Sequence, residues 1–87
     1  MLSKDLVIQN EHGINIAAAQ LLVNAMTKYS SSVILKVNDK AINSKSIISL
    51  MIAGIKKGAQ VTVEANGKDE EAALAEVVSL IENGFEK

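Results

Sequence analysis

The chain has no cysteine, no proline and no tryptophan, and its only aromatic residues are Tyr29 and Phe85. Without cysteine there can be no disulfide framework, no thiolate zinc site and no thiol nucleophile. The one imidazole, His12, gives too few ligands for a transition-metal site, so neither a metal nor another cofactor is expected. A dominant charge is missing too. Nine basic residues stand against ten acidic ones, a net charge of −1, which argues against an electrostatic grip on nucleic acid. No basic segment leads into a long apolar run at the N-terminus, and no apolar stretch is long enough to span a bilayer. A soluble cytoplasmic protein is the resulting expectation.

What remains is aliphatic. Of 87 residues, 48% are hydrophobic, enough for one modest core of Ile, Val, Leu, Ala and Met in a single domain over 1–87. Residues 2–8 alternate in part and predict a first strand. A helix is expected from Ile16 to Lys28, with Ala18, Leu22, Ala25, Met26 and Tyr29 on one face and Lys28 complementing the dipole. Ser32–Val37 is rich in β-branched residues and predicts a second strand. Asn38-Asp39 supplies turn chemistry, and 40–43 returns as a third strand. Ile47–Ile55 predicts a second helix, stopped by Lys56-Lys57-Gly58. Residues 59–65 form a fourth strand with Val61, Val63 and Ala65 on one face. Asn66-Gly67 turns into a third helix capped by Asp69, with Ala73, Leu74, Val77, Val78 and Ile81 as its apolar stripe. The order βαββαβα, with amphipathic helices and alternating strands, predicts an α+β two-layer sandwich.

One stretch organises the rest: His12-Gly13-Ile14-Asn15-Ile16-Ala17-Ala18-Ala19. Gly13 supplies a backbone hinge, and Asn15 can cap the helix that follows by accepting an otherwise orphaned N–H. The free N–H groups around Asn15, Ile16 and Ala17 then form the positive end of a helix, a place suited to phosphate or another anion.

This stretch resembles the signature of the HPr phosphocarriers of the bacterial sugar phosphotransferase system, Gly-[Ile/Leu]-His-Ala-Arg-Pro-Ala. Gly13, Ile14 and Ala19 match it. Its phospho-accepting His falls on Asn15, its Arg on Ala17 and its Pro on Ala18. A second family motif matches Asn43-Ser44-Lys45-Ser46-Ile47-Ile48-Ser49-Leu50-Met51-Ile52-Ala53-Gly54, with Ile48 and Ile52 among the departures. The resemblance covers nearly the whole chain. It implies an open-faced sandwich, a four-stranded antiparallel sheet in the order 1-4-2-3 covered on one face by three helices.

The resemblance also bears on chemistry. A phosphocarrier needs an imidazole lone pair, and the amide nitrogen of Asn15 is not nucleophilic because its lone pair is delocalised. A regulatory protein, not an enzyme, is therefore expected, similar to the catabolite-repression HPr paralogue that lacks the accepting His. The serine matching Ser46 is phosphorylated by an ATP-dependent kinase in part of the family, and the product is a corepressor of a catabolite-control transcription factor. Ser44 and Ser49 are alternatives to Ser46, whose plain role would be a helix cap. Family docking positions fall on Ile14, Gln20, Ile47, Ile48 and Met51. The competing reading is a true carrier that uses His12 or carries an engineered residue at Asn15; a third is an unphosphorylated adaptor. Expected partners are the serine kinase, the transcription factor or other phosphotransferase-system proteins, with the chain itself a monomer or a weak or strand-exchanged dimer. Direct nucleic-acid contact and membrane insertion are not expected.

Overall fold

The computed structural model describes residues 1–85; Glu86 and Lys87, included in the domain drawn over 1–87, lie outside the described residues. Seven elements follow in the expected order: β1 (Leu2–Val7), α1 (Ile16–Met26), β2 (Ser32–Val37), β3 (Lys40–Asn43), α2 (Ile47–Ala53), β4 (Gln60–Asn66) and α3 (Glu70–Glu82). The four strands form one antiparallel sheet in the order β1-β4-β2-β3. This is the open-faced sandwich that the motifs imply.

Alternation sets which face is covered. Val33, Leu35 and Val37 of β2 and Val61, Val63 and Ala65 of β4 are buried beneath the helices. Ala18, Ala19, Leu22, Ala25 and Met26 of α1 and Ala73, Val77, Leu80 and Ile81 of α3 close over them. The other sheet face is open and mostly polar, with Val7 and Ile34 as its large aliphatic members. Thr62 donates to the Asp5 carboxylate at 2.7 Å, and Lys36 pairs with Glu64 at 3.2 Å. Such exposed pairs set register more than stability. Asn38 and Asp39 both take positive φ, 50° and 67°, which gives the two-residue hairpin a twist that matches its strands.

Three helix ends differ from the sequence reading. α2 stops at Gly54, not at Gly58: Gly54 adopts the left-handed conformation (φ 61°, ψ 45°) and its N–H returns to the Met51 carbonyl at 3.3 Å. The chain must leave the helix there because Ile55 is core, and its carbonyl is needed by Ile14. Gly58 serves the next turn instead, donating to the Ile8 carbonyl at 2.8 Å. α1 ends at Met26 with Thr27 as its cap, short of Lys28. Lys28 pairs with Glu76 at 3.2 Å, while Lys45 reaches the carbonyl of Tyr29 at 2.7 Å. Asp69 stands at the start of α3 but makes no side-chain cap bond to that helix. Its carboxylate instead accepts from the backbone of Ser30 and Ser31 and from the Ser31 hydroxyl. Glu70 satisfies the turn before the helix, accepting the Gly67 N–H at 3.1 Å.

Candidate functional site

The start of α1 is built by one close approach. Gly13 has φ 61°, and a β-carbon there would lie 2.3 Å from the Ile55 carbonyl oxygen and 2.7 Å from Lys56 Cα. Only glycine lets these two backbones touch. Ile14 next donates to the Ile55 carbonyl at 2.9 Å, and its side chain is 4% exposed. Ile14 therefore belongs to the core and leaves the set of surface docking residues. Its aliphatic character is explained by packing.

Asn15 is extended (φ −81°, ψ −174°) and caps the helix: its side-chain oxygen accepts the Ala18 N–H at 3.0 Å, and its carbonyl accepts the Ala19 N–H at 2.8 Å. The cap takes one of the first-turn donors. Those of Ile16 and Ala17 precede the first residues that can bond back into the helix, and both residues are exposed. Position 17 carries no guanidinium to close on an anion. His12 is exposed in the same loop and shares a depression of about 330 Å³ with Asn15, Ala17 and Phe85. The loop is held by Asn10, whose side-chain amide donates to the Gly13 carbonyl. Chemically, this end of α1 can bind through N–H groups; the groups lining the depression that carry nucleophilic lone pairs are the His12 imidazole and the Glu11 carboxylate.

The start of α2 is a second helix cap. The Ser46 hydroxyl accepts the Ser49 N–H at 3.2 Å, and its carbonyl accepts the Leu50 N–H at 3.1 Å. Ser46 is half-buried at the start of the helix. Ser44 is not: it is 0% exposed and its hydroxyl donates to the Val33 carbonyl at 2.7 Å. Ser49 is half-buried on the helix. Lys45 follows Ser44 in sequence, but its ammonium is spent on the Tyr29 carbonyl.

α1 and α2 pack against each other, and both expose aliphatic side chains. Ile48 is 69% exposed, Met51 41% and Ile16 62%; Gln20 is exposed and Ile47 half-buried. Leu50 is the residue of α2 that enters the core. Ile52 is also exposed, at 80%; the sequence signal for these exposed aliphatic side chains is an α2 too apolar for one sheet to bury. Among the described residues, no group of three or more His, Asp or Glu side chains could hold a metal, and no helix is long and apolar enough to cross a membrane.

Comparison with known proteins agrees with this geometry. Residues 2–83 match the family model described as the HPr component phosphorylation site of the phosphotransferase system. A phosphocarrier protein HPr of Xylella fastidiosa is 32% identical over 85 residues, 98% of this chain and 96% of that protein. The crystal structure of HPr-C-His from Thermoanaerobacter tengcongensis superposes with a TM-score of 0.94 at 35% identity, covering 100% of this chain and 99% of that one. Crh, the catabolite repression containing protein of Bacillus subtilis, solved as a dimer with a swapped domain, gives a TM-score of 0.77 at 28% identity over 100% of both chains. With the sheet order, the glycine-built start of α1 and these matches together, the chain belongs to the HPr family of the phosphotransferase system.

Proposed function

We propose that the chain is a regulatory, non-enzymatic HPr-type protein of the cytoplasm, which docks protein partners through the α1–α2 surface and does not carry a phosphoryl group at residue 15. The observation that carries this is the cap: the Asn15 oxygen accepts the Ala18 N–H, and the amide nitrogen, its lone pair delocalised into the carbonyl, is no nucleophile towards phosphorus. Ala17 removes the charge that would hold phosphate oxygens. Ser46 is the regulatory acceptor. Phosphate there would sit at the edge of α2, add about −1.5 to −2 charge and change the surface offered by Ile47, Ile48 and Met51. Partners are a serine kinase and a catabolite-control transcription factor. The swapped dimer of Crh supports strand exchange as this chain's route to a dimer.

His12 supports a second reading, since it lines the same depression as Asn15. In that reading the imidazole replaces the missing acceptor and the chain is a carrier after all. Parallel labelling of the purified protein separates the two. With phosphoenolpyruvate and the first enzyme of the system, no acid-labile phosphate should appear. With ATP and the serine kinase, one acid-stable phosphate should appear on Ser46. Acid-labile label lost in His12→Ala would replace the first reading by the second; no label in either arm would leave an adaptor.

A further inference from the structure

The docking surface carried over from the family ends at Met51, yet the most exposed large aliphatic side chain after it, Ile52 at 80%, turns to a different feature. Ile52, Ser49 and Ala53 of α2 form one wall of a groove of about 380 Å³, and Lys40, Ala41 and Ile42 of β3 form the other. β3 is an edge of the sheet, paired to β2 alone. The groove is thus mainly apolar, with the hydroxyl-bearing Ser49 in one wall and one charged residue, Lys40, in the other.

That charge does not stand among mixed neighbours. α1, β2, β3 and α2 carry no acidic residue, and Asp39, in the β2–β3 turn and outside the groove, is the one acid between Glu11 and Glu64. The carboxylates are concentrated on α3 and the turn before it, at Asp69, Glu70, Glu71, Glu76 and Glu82. Lys28 and Lys36 have ion-pair partners, Glu76 and Glu64. Lys40 is exposed and takes part in none of the ion pairs among the described residues. Two copies apposed through this groove would bring Lys40 towards Lys40, and no acidic residue lines the groove to offset them. A flat bilayer would meet Ile48 and Ile52 and leave the groove unfilled.

We propose that the α2–β3 groove seats an apolar side chain of a protein partner whose adjacent carboxylate meets Lys40. The proposal rests on the docking reading and extends it to residues that reading does not include. Burial of Ile52 supplies the attraction, and Lys40 sets orientation and choice of partner.

The test uses the intact, isotope-labelled chain and peptides selected on it from a random displayed library, with binding sites mapped by amide chemical shifts. The expected peptides carry an aliphatic or aromatic residue next to Asp or Glu and shift Lys40, Ala41, Ile42 and Ile52. Their affinity should fall about tenfold in Ile52→Ser and in Lys40→Glu, and should fall with salt in the wild type. Both residues are exposed, so the fold survives either change, and Ala72→Ser, at an exposed position of α3, is the control that leaves these peptides bound. Peptides that map to Ile47, Ile48 and Met51 and ignore Ile52→Ser would overturn the groove while leaving the docking reading intact. No peptide on α2 at all would overturn both. Groove shifts that appear on concentrating the chain alone, or on adding anionic phosphatidylglycerol vesicles, would assign the groove to a second copy or to lipid and overturn the proposal.

Discussion

The carboxylate of Asp69 accepts the backbone N–H groups of Ser30 and Ser31 at 3.0 and 2.9 Å, so it ties the start of α3 to the strand entrance at β2. The Ser31 hydroxyl adds a third bond, and its oxygen in turn accepts the Asp69 N–H at 3.2 Å. The Ser31 hydroxyl first, and then the Ser30 N–H, hold the Asp69 pKa down from its ordinary 3.8 to about 2. The folded value lies below the unfolded one, so this contribution to stability is present above 3.8 and is lost as the pH falls through about 2. Thermal melts of wild type and Asp69→Asn should differ at neutral pH and converge as the pH drops through that window. A constant gap would mean the carboxylate charge does not matter to the tie.

Gly13 and Gly54 share φ 61° but not surroundings. A β-carbon added at Gly54 would have nothing within 4 Å, so Gly54→Ala should cost only the left-handed backbone penalty, about 1–2 kcal/mol. Gly13→Ala adds a clash with the Ile55 carbonyl and should cost about 3 kcal/mol or more, since backbone must move. Urea unfolding of the two variants reads the difference directly.

Leu22 and Val77 are both 0% exposed, at the centres of α1 and α3. Leu22→Ala should cost about 2–5 kcal/mol, and Val77→Ala somewhat less because fewer atoms are removed. Asn15→Ala should cost about 1 kcal/mol, the usual loss of an N-cap. A neutral Asn15→Ala in the same urea series would remove the cap bond to Ala18 from the account of α1.

Kinase labelling distinguishes the serines by burial. Ser46→Ala should abolish incorporation, and Ser46→Asp should mimic phosphate poorly, having about half its charge. Ser44→Ala should leave labelling intact while costing about 1 kcal/mol, since it removes a buried hydroxyl bonded to the Val33 carbonyl. Peptide mass spectrometry after treatment locates the phosphate, and its appearance on Ser44 would require the β3–α2 corner to open.

Much of the fold was legible because local chemistry and pattern agreed. The β2–β3 hairpin is the clearest case: β-branched residues flank Asn38-Asp39, both tolerant of positive φ, and the observed strand limits match the reading residue for residue. The end of α2 was hidden because two glycines could each have stopped it, and only the need of Ile14 for the Ile55 carbonyl decides for Gly54. Asp69 looked like a cap from its position, but its bonds run to residues 39 and 38 positions away, a partner choice no local pattern contains. Asn15 and Ser46 were readable as caps, since capping is local. Ile14 was carried to the surface by a motif that records which residue type stands there, not which way its side chain faces.

The loop between β1 and α1 is stitched to the segment before β4 by three backbone bonds: Ile8 to the Ala59 carbonyl at 3.0 Å, Gly58 to the Ile8 carbonyl at 2.8 Å, and Ile14 to the Ile55 carbonyl at 2.9 Å. That loop is also the tether through which β1 would have to swing out to join a second copy. If the chain exchanges β1 as proposed, the stitches make the tether a lock on history: whichever form it folds into is held until those bonds and the β1–β4 ladder open together. Monomer and exchanged dimer would then behave as separable species on the time scale of a chromatography run, and the ratio between them would record the protein concentration at which folding took place, not that of the sample at hand.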